Sequence, residues 1–259
     1  MITSLQNPKI KRVRLLNSQS KSRKKQGAFV LEGVRLLEES LNAGIDPELV
    51  LHTPDLDQRG TELVAQFQDR GVPAELTAPE IFEAASDTTS PQGILGILPL
   101  ISIPFPHEAN FILITDEIRD PGNLGTLMRS AAAAGVDALI VTPGTVDPYS
   151  PKVTRAAMGA HFHLPVKSAS WGEISNLTKG MQCLLADMNA GLPIWDANLA
   201  DPTAIILGGE AHGAGIEARQ LAEQSVHIPM EKGTESLNAA SAGAVLLFEV
   251  RRQRSGRNK

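Results

Sequence analysis

The sequence of 259 residues holds a single cysteine, Cys183. One thiol excludes an intramolecular disulfide and any zinc site built from several cysteines. Flanked by Met181, Leu184 and Leu185, it reads as an inert buried thiol. Aromatic residues make up only 4%, and Trp171 and Trp195 read as packing residues. The apolar runs are all far shorter than the ~20 residues a membrane-spanning helix needs. The first residues pass straight into a basic segment with no apolar stretch, so no secretory signal is expected and a cytoplasmic location is. There is no Gly-x-x-x-x-Gly-Lys-Ser/Thr run and no complete dinucleotide-binding fingerprint, which argues against a nucleotide hydrolase and a nicotinamide enzyme.

What is present is an ordinary globular balance, 42% hydrophobic and 20% charged. That is enough for one large domain or two modest ones. The net charge is −5, which taken alone speaks against a nucleic-acid partner. Its distribution reverses that reading. Residues 1–25 hold eight lysines and arginines, among them Lys9, Lys11, Arg12, Lys24 and Lys25, and no acid. Residues 251–259 hold five more, again with no acid, which leaves 11 basic against 29 acidic residues between them. Basic ends on an acidic body suit phosphate-seeking arms; solvated, disordered termini are the alternative.

Short apolar runs alternate with helical periodicity, the mark of an α/β protein. Strands are expected at 28–31, 49–51 and 93–98, with helices at 34–43, 61–70 and 79–85 between them. Pro99, Pro104 and Pro106 make residues 99–109 an extended connector, because proline removes donors and fixes φ. Beyond it lie a fully apolar strand at 111–114 and further strands expected to be buried at 138–141, 183–186, 204–207 and 226–228. Apolar runs separated by helices predict a parallel sheet covered on both faces.

In such sheets ligands gather at the carboxyl ends of the strands. Three segments place unusual residues there. Asp120-Pro121-Gly122-Asn123 is turn chemistry opening an alanine-rich helix, with Asn123 near its start and Arg129 about two turns in. Arg129 is either a functional cation in need of a counter-charge or a surface side chain. Gly208-Gly209-Glu210-Ala211-His212-Gly213 follows a buried strand; its glycines admit a ligand close to the backbone, or simply make a tight turn. Ile228-Pro229-Met230 leads through Ser236-Leu237-Asn238 into a helix of small residues, where Ser236 could also be a plain N-cap. His161 and His163 alternate as if on one strand face, but lack a third ligand at metal-site spacing.

Taken together and in this order, the segments resemble the SpoU (TrmH) family of RNA ribose 2′-O-methyltransferases, in the trefoil-knotted SPOUT class. The family's Asn-x-Gly-x-x-x-Arg motif matches Asn123, Gly125 and Arg129, its Gly-x-Glu matches Gly208 and Glu210, and its Ile-Pro-Met…Ser-Leu-Asn matches Ile228 to Asn238. Asp147 to Gly159 is similar as well, whereas the glycine after Ile-Pro-Met sits one residue late, at Gly233 behind Lys232. Residues 1–98 resemble the family's frequent N-terminal RNA-binding domain, a small ribosomal-protein-like α/β fold.

The resemblance implies methyl transfer from S-adenosylmethionine to a ribose 2′-hydroxyl, of ribosomal RNA more readily than transfer RNA, by a homodimer needing no metal. It implies a catalytic set of Arg129, Asn123, Glu210, Ser236 and Asn238, and a methyl-donor site around Leu185, Gly208, Ile228 and Leu237. Guanidinium stays protonated, so Arg129 is read as stabilising the developing oxyanion and gripping a phosphate. RNA contacts are expected from Lys9, Lys11, Arg12, Lys24, Lys25 and Arg155. A non-catalytic RNA-binding protein of the same fold is the alternative.

Overall fold

The computed structural model describes residues 1–189, 191–210, 213–231 and 236–256. His212, Lys232, Gly233 and the tail residues Arg257 and Lys259 lie outside the described residues. The chain divides into two units, Met1–Ile101 with Tyr149–Phe162, and Ser102–Pro148 with His163–Lys259.

The first unit begins with α1 (Pro8–Ser18) and α2 (Ser20–Gln26). It continues through β1 (Ala28–Glu32), α3 (Val34–Asn42), β2 (Leu49–His52), α4 (Gln58–Asp69), β3 (Ala74–Leu76), α5 (Pro79–Ala85) and β4 (Ile94–Pro99). Its sheet has the order β1-β4-β2-β3, with β4 antiparallel to both neighbours and β2 parallel to β3. Pro99, expected in the connector, instead closes β4 opposite Ala28, a strand end where a missing donor costs little.

The N-terminal segment is folded, which rules against the alternative of a solvated, disordered terminus at this end. Asn7 caps α1 by accepting the Lys9 N–H at 2.9 Å, Pro8 sits where no donor is needed, and Ile10, Val13 and Leu16 are buried. Arg23 is itself buried, donating from Nη1 to the Leu16 carbonyl at 2.5 Å. Lys9 pairs with Glu75, and Arg12 donates to Glu48 at 2.7 Å and to Gln26 at 2.9 Å. Lys11, Lys24 and Lys25 are exposed and bridge to no acid among the described residues.

Residues 149–162 belong to this unit by contact, although the resemblance reads through them as part of the later domain. Tyr149 packs edge-on to Phe29 at 5.1 Å and donates its hydroxyl to the Ile101 carbonyl at 2.8 Å. His161 is buried in a 3-10 turn, stacked on Phe29, and His163 is exposed beyond it. The two histidines therefore do not share a strand face.

The second unit contains β5 (Phe111–Asp116), α6 (Pro121–Ala134) and β6 (Ala138–Val141). The excursion through α7 (Pro151–Ala157) in the first unit is followed by β7 (Val166–Ser168), α8 (Trp171–Leu177), β8 (Gln182–Ala186), β9 (Leu192–Pro193), β10 (Thr203–Gly208), α9 (Ile216–Leu221), β11 (Gln224–His227) and α10 (Ala239–Ser255). All sheet pairings are parallel, in the order β7-β6-β5-β10-β8-β11-β9 among the described residues. β5 and β6 are buried along their whole length and β10 up to Gly208, as the apolar runs required.

Two helices carry the site. In α6 the N-cap Asp120 accepts the Asn123 N–H at 2.8 Å, and Gly135 ends the helix in the left-handed region. α10 is capped by Asn238, which accepts the Ala240 and Ser241 N–H groups at 3.0 and 3.3 Å, so Ser236 is not the cap. A Cβ at Gly243 of α10 would collide with Leu127 and Leu207; the small residue lets α10 lie directly on α6 and β10. Residues 251–255 of the basic C-terminal stretch are the last turns of α10, where Arg254 donates to Leu199, Asn110 and Asp201 and covers the Phe111 ring at 4.9 Å. Arg252 pairs with buried Glu249 at 2.7 Å. Arg254 thus ties the end of the last helix to Asn110, Leu199 and Asp201, whereas Arg252 is paired within the helix itself.

Candidate active site

β5 and β10 are neighbours in the sheet, with Asp116 opposite Gly208 at their carboxyl ends. The chain leaves β5 toward α6 and leaves β10 into the glycine turn. Both exits are locked from below. Asp116 is 3% exposed, yet its carboxylate is satisfied: Oδ2 accepts the Gly215 N–H at 2.7 Å and Oδ1 accepts the Thr142 hydroxyl at 3.1 Å. Hydrogen bonds to a buried charge contribute about 1.5–3 kcal/mol each, so Asp116 fixes where the turn comes back. A Cβ at Gly209 would lie 2.6 Å from the Glu117 carbonyl oxygen, so only glycine permits this approach. The turn closes with the Gly213 N–H donating to the Gly209 carbonyl at 2.9 Å.

Three predicted residues meet on this platform from positions far apart in sequence. The Asn123 amide donates to Glu210 Oε1. The Asn238 amide donates to Asn123 Oδ1 at 2.9 Å and reaches Glu210 Oε1 at 3.4 Å. Each helix thus contributes an asparagine from its first turn or cap to one carboxylate oxygen, while Glu210 Oε2 keeps no hydrogen bond among the described residues. A carboxylate at two helix N-termini is electrostatically favoured.

Glu210 stands between two hollows. A cavity of about 590 Å³ is lined by Gly208, Gly209, Glu210, Ile228, Ser236, Leu237 and Asn238, with Ala186 and Asp187 from the end of β8. A smaller recess of about 120 Å³ has Asn123, Asp120 and Arg119 on its wall and shares Gly209, Glu210 and Gly213 with the larger one.

Other predicted residues fall elsewhere. Leu185 is buried in the core beside Cys183 and Ile206, and the larger cavity is lined instead by its successors Ala186 and Asp187. Arg129 does not join the cluster. It is exposed on α6, lines neither hollow, and has no hydrogen bond or ion pair among the described residues. It lies one and two turns beyond exposed Thr126 and Gly122 on the same helix face. Of the predicted RNA contacts, Lys9 and Arg12 are tied to acids, and Arg155 is paired with Asp87 at 3.0 Å within the first unit.

Residues not anticipated also line the larger cavity. Asp187 Oδ2 accepts Arg219 Nη1 at 2.8 Å and Oδ1 accepts the Asn189 N–H at 3.1 Å. Arg219 first, then the backbone donor, holds the Asp187 carboxyl below the usual range. The His227 Nδ1 is buried without a hydrogen-bond partner among the described residues. Asp116 and Asp187 were visible as carboxylates ending apolar strands, a position that favours ligand contact. The Cys183 thiol is buried, and burial raises its pKa, in keeping with an inert role.

The SpoU rRNA Methylase family matches residues 110–248, and an MRM3-like substrate binding domain matches residues 7–96. An uncharacterised tRNA/rRNA methyltransferase of Synechocystis is 34% identical, over 97% of this chain and 93% of the relative. The chain belongs to the SpoU methylase family. The 23S rRNA (guanosine(2553)-2′-O)-methyltransferase RlmP of Bacillus subtilis is 31% identical over 96% of this chain and 98% of its own. The crystal structure of an AdoMet-bound rRNA methyltransferase from Sinorhizobium meliloti superposes with a TM-score of 0.85 at 28% identity, covering 97% of each chain.

The larger cavity suits S-adenosylmethionine on its own chemistry. It is of ligand-pocket size, and its wall combines glycine backbone and apolar side chains with a few charges and the unpartnered His227 nitrogen. Gly208, Ile228, Leu237 and Ala186 would hold the donor, with Leu246 and Val226 behind them.

Proposed function

We propose that this protein methylates a ribose 2′-hydroxyl of ribosomal RNA and works as a homodimer. The observation that carries the reading is the position of Glu210: held by Asn123 and Asn238, it borders both the donor-sized cavity and the smaller recess. A group bound in one hollow and a group bound in the other meet at this side chain. S-adenosylmethionine supplies an electrophilic methyl on sulfur. The residues supply orientation and the handling of one proton. Asn123 and Asn238 fix Glu210 Oε1, and Oε2, which has no hydrogen bond among the described residues, accepts the hydroxyl's hydrogen bond and then its proton. Ser236, on the cavity wall, adds a hydroxyl donor. Arg129 stabilises the oxyanion as charge develops and grips a neighbouring phosphate.

Arg129 lies outside its own protomer's hollows, and this supports the dimer. A solvent-facing arginine without a counter-charge among the described residues, on a helix packed beside one that exposes Phe248 (46% exposed), suits a surface that meets a second copy. Trefoil threading of the sheet is part of the same reading; β10 lying between β5 and β8, with Gly215 tied back to Asp116, supports it.

Incubation of ribosomal RNA lacking 2′-O-methyl groups with the protein and labelled S-adenosylmethionine tests the reaction. Nucleoside mass spectrometry should find the label on ribose at a defined nucleotide. Label on a base, or none, would overturn the proposal.

A further inference from the structure

Charge enters the larger cavity at two places. One is Glu210, and the other is the pair of Asp187 and Arg219. Arg219 is the one lysine or arginine among the described residues that line it. Asp187 stands one residue beyond β8, with 15% of its side chain exposed and both oxygens hydrogen-bonded. It is therefore a fixed anchor. Arg219 is half exposed and gives Asp187 only Nη1. Its Nη2 turns toward the glycine turn, 3.7 Å from where a Cβ on Gly213 would stand. A guanidinium has five donors, and beyond Nη1 none of them is hydrogen-bonded among the described residues.

An ion pair this exposed adds little stability by itself, and tying α9 to β8 does not need one placed on a cavity wall. A ligand explains the placement better. Resting on the donor assignment above, we propose that Arg219, positioned by Asp187, binds the α-carboxylate at the amino-acid end of the methyl donor. That end is a zwitterion, and here the wall sets a cation beside an anion. The charges of the described wall residues also fit. Among them, one guanidinium against the carboxylates of Asp187 and Glu210 leaves a net negative balance for a donor of net positive charge. After transfer the sulfur is neutral and that attraction is gone, which favours release of the product.

Titration calorimetry with two ligands isolates the contact. S-adenosylhomocysteine carries the amino-acid end, and 5′-methylthioadenosine lacks it while keeping the nucleoside and the sulfur. Arg219→Ala should weaken S-adenosylhomocysteine about tenfold, as expected for one charge-assisted contact in a half-exposed site, and leave methylthioadenosine within about twofold. Arg219→Lys should recover part of the loss. Equal losses for both ligands would mean that Arg219 only shapes the loop, and an unchanged S-adenosylhomocysteine affinity would remove the contact altogether; either overturns the proposal. A wild-type protein that binds neither ligand would overturn the donor reading first, and this one with it.

Discussion

One helix, α6, carries two motif residues in opposite states. Asn123 in its first turn is locked into hydrogen bonds that reach across to Glu210 and Asn238. Arg129, six residues on, is exposed and tied to nothing among the described residues. The difference separates what a single chain can preorganise from what waits for another molecule. A neutral amide and a carboxylate can satisfy each other within one fold. A guanidinium that has no counter-charge among the described residues is left to find one on another molecule.

The sharpest way to break this contrast is Arg129→Ala. Removing one transition-state contact costs on the order of 10²–10³ in rate. The fold and the affinity for S-adenosylmethionine should barely change, because Arg129 lines neither hollow. Arg129→Lys should stay impaired, since a point charge does not reproduce a planar fork. Single-turnover rates with calorimetry alongside decide it, and a near wild-type rate for Arg129→Ala would make Glu210 the main activating group.

Glu210→Gln tests the locked half. A glutamine Oε1 can still accept from Asn123 and Asn238, so the cluster should persist while the proton acceptor is lost. The rate should fall by about 10², with the melting temperature almost unchanged. If the rate survives, the proton leaves to phosphate or water, and the cluster is only scaffold.

A smaller effect should follow from Phe248→Asp. Phe248 is exposed on α10 and touches neither hollow. A charge there should disfavour pairing of two copies and lower activity about tenfold at micromolar protein. Sedimentation should find monomers. A fully active monomer would detach Arg129's exposure from any dimer.

The same contrast sets what was legible in the sequence. The apolar strands of the second unit announced themselves because a doubly covered parallel sheet demands uninterrupted hydrophobic runs. Asn123, Glu210 and Asn238 were legible as types in motifs. Their convergence was not, because the bonds span 87 and 115 residues and depend on how β5 and β10 pair. α1 was hidden for another reason: Ile10, Val13 and Leu16 are three core residues among basic neighbours, and charge dominated the reading. The packing of residues 149–162 on Phe29 is a tertiary choice with no local signature. Arg219 escaped notice because an arginine on a short helix is ordinary until its counter-ion and the cavity are in place.

Tied and free charges also divide the N-terminal unit, and here the expected effect is the smallest. Deleting residues 1–25 would be a poor test, because it removes Ile10, Val13 and Leu16 from the core. Substitution of single charges separates the two classes cleanly. Lys11, Lys24 and Lys25 are exposed and bridge to no acid among the described residues, whereas Lys9 and Arg12 are engaged with Glu75 and Glu48. Each phosphate contact releases counterions and adds roughly 0.7–0.9 to the slope of log affinity against log salt. Changing Lys11, Lys24 and Lys25 to glutamine should therefore flatten that slope by about 2 for an RNA fragment, with methyl-donor affinity untouched. Changing Lys9 and Arg12 to glutamine should move it much less, because those cations already have carboxylates beside them and must give them up to reach a phosphate. Equal slopes for the two variants would mean that the intramolecular pairs open on RNA, and that a charge tied in the free protein is no less available than a free one.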